Sequence, residues 1–179
     1  LFVCCVYYGM WGKIPDYRDL REIRNSEASS LYSEDGELLG KYYVENRTNV
    51  MFGGISRNAV NALIATEDVR FYEHHGFDKV SMLRVLCKTL LLGDKSSGGG
   101  STISQQLAKN LYPRQYNSRF MIPVIKIKEI ITAHRLEKLY TKDEILTLYL
   151  NTVSFGEGTF GIESAAQKYF STTATHLSI

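Results

Sequence analysis

A chain of 179 residues, 44% hydrophobic and 22% charged, is long enough for one domain with a real core and too apolar for a disordered one. Its formal net charge of +2 is too small to argue for nucleic acid as a partner. Cys4, Cys5 and Cys87 make no metal-binding spacing and leave one cysteine over, which argues against a disulfide framework.

The chain opens on Leu1 to Trp11, a stretch that is apolar and aromatic but far shorter than the roughly twenty residues that cross a bilayer. Without a basic leader or cleavage site it is not a complete signal peptide. Two readings stay open for it, a buried strand or the outer end of a membrane anchor with Tyr7, Tyr8 and Trp11 at the interface. Gly12 to Arg47 reads as linker and hairpin: Ser29 to Tyr32 and Leu38 to Val44 flank a segment containing Asp35-Gly36, a strong turn signal.

Ser56 is a plausible cap for a helix from about Arg57 to His74, with Gly76 as its stop. At helical spacing Val60, Leu63, Ile64, Glu67 and Phe71 fall on one stripe, so a carboxylate stands where the pattern asks for a hydrophobe. A core-facing carboxylate is costly unless paired or put to use, which makes Glu67 the first catalytic candidate. Ser81 to Leu92 is apolar on two sides with Arg84 and Lys88 on another, and reads as a core helix or one dipping into a lipid surface. Gly93 to Gly100 must be a mobile loop, since three consecutive glycines hold neither helix nor strand.

That loop feeds Ser101 to Asn110, where Thr102 and Gln105 have capping-box spacing. Ile103, Leu107 and Leu111 share one face of this helix; Thr102, Gln105 and Lys109 share the other. A glycine-rich turn before a helix start, with Lys109 beyond it, suits an anion such as phosphate, although the nucleotide-type phosphate loop is missing its glycine-lysine-serine/threonine ending. A capped surface helix behind a loop is the alternative. Arg84, Lys88, Lys95, Lys109, Arg114, Arg119, Lys126 and Lys128 all fall mid-chain, as solvated helix faces or as an anion site.

Pro113 ends that helix and Pro123 starts the next, which runs to Tyr140 and is apolar around most of its circumference, as in a central buried helix. Glu129 lies on its stripe of Ile125, Thr132 and Leu136, a second inward carboxylate that Lys128 or Arg119 could satisfy. A buried ion pair holding two helices together is the structural alternative. Thr141 to Glu144 is a further capping box, opening a helix through Asn151 with Ile145, Leu148 and Tyr149 inward. Phe155 to Gly161 reads as a glycine-punctuated loop, and Ile162, Ala165, Ala166 and Tyr169 as the stripe of one more helix. Thr175 to Ile179 looks like the opening of another helix, so a fragment is expected.

Taken together these residues resemble the peptidoglycan glycosyltransferases of family 51. Glu67-Asp68, Phe71, His74 and Gly76 match the first motif, and Gly99 to Asn110 the second. Lys126 with Glu129 matches the third; Lys142, Ile145-Leu146 and Tyr149-Leu150-Asn151 match the fourth. Gly161-Ile162-Glu163, Ala165-Ala166 and Tyr169-Phe170 match the closing segment. Ile125 departs from the usual arginine before Lys126, Ser104 replaces a threonine, Thr147 a glutamate, and Ser171 a common glycine. The whole is most like the glycosyltransferase portion of a class A penicillin-binding protein.

The resemblance implies a mainly α, lysozyme-like, two-lobed domain with a small membrane-side jaw and a short N-terminal β-hairpin. It divides the chain into the end of an anchor (1–11), linker and hairpin (12–47) and a glycosyltransferase domain (48–179) truncated at its C-terminus. It implies polymerisation of lipid II into glycan strands with release of undecaprenyl diphosphate, Glu67 being the general base and Glu129 the second catalytic carboxylate. Asp68, Phe71, His74, Ser101, Thr102, Gln105, Gln106, Lys109, Asn110, Arg119, Lys126, Lys128 and Asn151 are the implied substrate-binding set. A divalent cation, Mg or Mn, is expected at Glu129. The implied partners are lipid II, the growing strand, membrane lipid and other cell-wall synthesis proteins, at the bacterial inner membrane on its periplasmic face. A lysozyme-like hydrolase, or a non-catalytic glycan- or lipid-binding module, is the competing reading; Lys109 and Lys128 argue against the hydrolase, which has no use for a diphosphate site.

Overall fold

A computed structural model describes residues 2–23, 28–42, 45–92, 100–113 and 118–178. The expected loop at 93–99, including Gly99, and the basic residues Lys95 and Arg114 lie outside the described residues, as do Tyr43 and Val44 of the expected second strand.

The opening segment is helical, α1 (Phe2–Tyr7), and not the strand considered above. Val6 is buried with Ile14 and Val124 in a small apolar cluster that Trp11, Met121, Ile127 and Ile131 complete. A short helix α2 (Tyr17–Arg21) follows, opened by a full capping box between Asp16 and Asp19. Strands β1 (Ser29–Tyr32) and β2 (Leu38–Tyr42) pair antiparallel across the Asp35-Gly36 turn, as expected. After β3 (Asn46–Arg47) comes α3 (Arg57–Glu67), whose first turn is capped by the Ser56 hydroxyl accepting from the Asn58 N–H at 3.2 Å.

Helix α3 stops at Glu67, seven residues short of the expected His74; Phe71 to Glu73 form a separate 3-10 turn. Helix α4 (Lys79–Leu92) then leads to α5 (Ile103–Leu111), α6 (Ile122–Leu139) and α7 (Lys142–Thr152). Val80 and Leu83 of α4 are 59% and 60% exposed, so this helix does not turn that side to the core. No helix among the described residues is long and apolar enough to cross a membrane.

The core lies where α5 packs on α6 and α7. Phe71, Ile103, Leu107, Leu136, Ile145 and Leu146 are fully buried there. Burying one large apolar side chain stabilises by roughly 1.5–3 kcal/mol, so these residues set the frame on which the polar side chains are placed. Thr141 and Glu144 form the expected capping box at the start of α7.

The expected loop at Phe155 to Gly161 is instead a small hairpin, β4 (Ser154–Gly156) and β5 (Thr159–Phe160), with β3 added parallel to β5. Its strands are two or three residues long, so glycines that punctuate the sequence hide them. Helix α8 (Ile162–Phe170) ends on Ser171 in the left-handed region (φ 52°, ψ 36°), and a single 3-10 turn, Ala174–His176, follows. The molecule is mainly α-helical, with two small sheets among the described residues, consistent with a lysozyme-like helical domain.

Candidate active site

Asp68 decides where Glu67 points. Its carboxylate turns inward, accepting the Ile103 backbone N–H at 3.1 Å and meeting His74 Nε2 at 3.0 and 3.1 Å. An anion at the first N–H groups of α5 completes that helix start, and the chain must break out of α3 to put it there. Glu67 is therefore the last residue of α3, and its side chain is exposed. The core-facing position inferred from the stripe is thus corrected. Phe71 reaches the core through its own 3-10 turn, whereas Glu67 accepts a hydrogen bond from Gln106 Nε2 at 2.7 Å and opens onto a groove.

That groove encloses about 530 Å³ between the end of α3, the start of α4 and the entry to α5. Glu67, Asp68, Ser101, Thr102 and Gln106 of the expected set line it, together with Arg70, Asp78, Ser81 and Arg84. Lys126 donates to the Ser101 hydroxyl at 2.7 Å and to Glu129 Oε2 at 3.3 Å, which brings the third motif to the groove's border. Glu129 is 7% exposed, inward as its stripe implied, but its lysine partner is Lys126 rather than the expected Lys128 or Arg119.

Lys128 faces the other side of α6. Its ammonium donates to the Trp11 carbonyl at 2.8 Å, and burial pushes its pKa below the usual lysine value. It lines a separate cavity of about 250 Å³ with Trp11, Tyr112, Val124 and Glu129, which does not itself line the groove of Glu67. The structure therefore does not bring Lys128 into the groove of Glu67. Lys109 and Arg119 are exposed and Asn110 half-buried; none of the three lines either space.

Several expected site residues are buried and hold the groove's walls together. Thr102 Oγ1 and Gln105 Nε2 both donate to the Gly76 carbonyl, at 2.9 and 3.0 Å. Only the Thr102 half of the expected capping box forms: Gln105 turns its NH₂ to the Gly76 carbonyl, and its Oε1 does not reach back to the Thr102 N–H. Gly76 is itself obligatory: its φ is +82°, and a Cβ would meet the Ala133 carbon and His134 nitrogen at 2.9 Å. Asn151 sits far from the groove, exchanging both its amide groups with the Val50 backbone at 2.8 and 3.0 Å.

Three sets of contacts escaped the sequence reading, although Lys142 and Tyr149 themselves fall within the fourth-motif match. Arg70 and Asp78 form a bidentate pair at the groove wall, with Arg70 Nε 3.1 Å from Asp78 Oδ2. Burial alone would raise the Asp78 pKa, yet hydrogen bonds from Arg70 and Ser81 outweigh it and hold the carboxyl well below the usual range. Glu137, whose side chain is 2% exposed, accepts from Ser104 Oγ at 2.5 Å and Lys142 Nζ at 2.6 Å, and Lys142 also donates to the His74 carbonyl at 2.7 Å. The Tyr149 hydroxyl donates to Gln106 Oε1 at 3.0 Å. The Ser104–Glu137, Lys142–His74 and Tyr149–Gln106 contacts join residues 33 to 68 positions apart, and the Arg70–Asp78 pair spans eight residues across a helix break, so periodicity carries no signal for any of them.

The helical domain thus holds a carboxylate by an amide at a groove, with a lysine–carboxylate pair at the groove's border. Comparison with known proteins gives its family. Residues 35–179 match the family model described as transglycosylase. The chain is 41% identical to penicillin-binding protein 1A of Escherichia coli (strain K12), over all of this chain and 22% of the relative. It is 40% identical to penicillin-binding protein 1F of Bacillus subtilis (strain 168), over 85% of this chain and 21% of the relative. It is 36% identical to penicillin-binding protein 1A of Vibrio cholerae, over 92% of this chain and 19% of the relative. The chain thus spans about a fifth of the length of these relatives. It belongs to the transglycosylase family.

Proposed function

We propose that this domain polymerises lipid II into glycan strands, releasing undecaprenyl diphosphate, with Glu67 as the general base. The observation that carries the proposal is the Glu67 carboxylate at the groove, its Oε2 held by Gln106. A sugar hydroxyl is a poor nucleophile, so its proton must be taken as its oxygen attacks the anomeric carbon of the growing chain. Glu67 Oε1 accepts from no described residue and is the oxygen open to that proton.

The leaving diphosphate needs positive charge as its bond to the sugar breaks. Lys126, at the groove border on Ser101, is the best-placed lysine for it, with Ser101 donating alongside. Lys128 serves to dock the Trp11 segment instead. Lys109 and Arg119, exposed outside the groove, would meet outlying parts of the substrate. Buried Asp68, His74, Phe71, Thr102 and Gln105 shape the site from within; Asn151 acts at a distance through the Val50 segment.

Among the described residues no three His, Cys, Asp or Glu side chains group to hold a metal alone. A divalent cation, Mg or Mn, would therefore draw most of its ligands from substrate phosphates, as Mg commonly does, with Glu129 as the protein carboxylate. Bound there it would offset diphosphate charge. The reading places the domain on the periplasmic face of the bacterial inner membrane, with membrane lipid and other cell-wall synthesis proteins as partners. The exposed apolar residues Val80 and Leu83 on α4 support a lipid-facing side.

The test is polymerisation of lipid II with a divalent cation. The native protein should make polymer, and Glu67→Gln should lose at least about a hundredfold in rate, the contribution typical of a general base. Activity surviving in Glu67→Gln, or cleavage of existing glycan in place of synthesis, overturns the reading.

A further inference from the structure

We propose that Tyr149 is a positioning residue for the Glu67 base, acting through the amide of Gln106. The inference rests on the function proposed above and concerns a side chain that helical spacing turns inward on α7 and that the fourth-motif match leaves without a role. Tyr149 is 6% exposed, and its ring lies in the main apolar cluster. Its hydroxyl, however, leaves that cluster and reaches Gln106 Oε1 at 3.0 Å, while Gln106 Nε2 reaches Glu67 Oε2 at 2.7 Å. The three form a single line from the last turn of α7, across α5, to the end of α3.

Donor and acceptor chemistry gives this line one sense. An ionised carboxylate only accepts, so Gln106 must turn its NH₂ to Glu67 and its carbonyl oxygen away. The carbonyl oxygen then needs a donor, and the Tyr149 O–H is the one that the structure supplies. An amide with no such partner can turn over and set its oxygen against the carboxylate, which repels it. The tyrosine hydroxyl therefore does not touch the reacting atoms; it keeps the amide facing the way that the base requires. Gln106 in turn occupies Oε2 and leaves Oε1 toward the groove, so the carboxylate is held at one rotation. The proximity is also felt electrostatically: burial, and then the Glu67 charge, raise the Tyr149 pKa, keeping its proton in place as donor.

A tyrosine used only to fill the core would give a different response. Tyr149→Phe keeps the ring and removes the hydroxyl alone. Measured on the full-length protein, it should lower kcat about 3- to 10-fold, the size of one neutral hydrogen bond, at unchanged KM. Gln106→Ala should lower kcat further, and adding Tyr149→Phe to it should cost nothing more, because the hydroxyl acts through the amide. A native kcat in Tyr149→Phe, a rise in KM alone, or losses that multiply in the double variant would each overturn the proposal. Absence of polymer from the native protein defeats the function proposed above; the positioning claim is then decided by ¹⁵N NMR. Exchange of the Gln106 side-chain amide protons with solvent should be faster in Tyr149→Phe, and unchanged exchange overturns it.

Discussion

Two adjacent carboxylates, Glu67 and Asp68, have opposite fates because one is the last residue of a helix and the other caps it. Asp68 neutralises the start of α5 and grips His74, whereas Glu67 is left at the groove with a single amide partner. The stripe of Val60, Leu63 and Ile64 marked Glu67 as unusual but misplaced its direction: an inward Glu67 assumes that the helix continues, and Asp68 ends it. Periodicity cannot register a helix end that depends on a backbone N–H thirty-five residues away. A neighbouring pair supplies a pH test. The Asp78 carboxyl has a folded pKa held below its unfolded value, so the stability from Arg70–Asp78 is complete above the unfolded value and is lost as pH falls from there through the lowered folded one. Chemical denaturation should show stability falling below about pH 4, the unfolded aspartate value, and Arg70→Met should flatten that fall. An equal slope in both proteins would mean that other carboxylates carry it.

Helices announce themselves in this chain mainly at their starts. Ser56, Thr141 with Glu144, and Pro123 mark α3, α7 and α6 because caps and N-terminal prolines act within one turn, and local sequence records local bonds. The small sheet of β3, β5 and β4 was illegible for the converse reason, since β3 joins it from more than a hundred residues away. At the other end of a helix, Ser171 is the residue beyond α8 with φ +52°, the left-handed region that favours glycine. A side chain there is strained, and its removal relieves the folded state at a modest entropic cost in the unfolded one. Ser171→Gly should therefore raise stability by up to about 1 kcal/mol, read as an upward shift in the midpoint of thermal unfolding. A decrease would show that the serine makes a compensating contact.

Across the whole molecule, the segment around Val50 to Ser56 is clasped by the far end of the domain. Asn151 serves both polar groups of Val50, Ser56 donates to the Leu177 carbonyl at 2.6 Å and Thr175 to the Gly54 carbonyl at 2.9 Å, while the Ser56 N–H meets the Ala174 carbonyl at 2.9 Å. Asn151→Leu would strand two backbone groups at once. A loss of about 2–4 kcal/mol is expected in urea unfolding, since each buried unpaired group costs roughly 1–3 kcal/mol; a change below about 0.5 kcal/mol would mean that water replaces the amide.

The same clasp has a temporal side. A ribosome delivers Gly54 and Ser56 about 120 residues, and hence several seconds, before the Ala174 to Leu177 turn that completes their bonding, and closing loops of that length is slow relative to forming a helix. Helices α5 to α7 can assemble on one another while they wait. The final act of folding is then the joining of early and late chain, and until it happens the newborn domain shows its neighbours an unfinished edge beside α3.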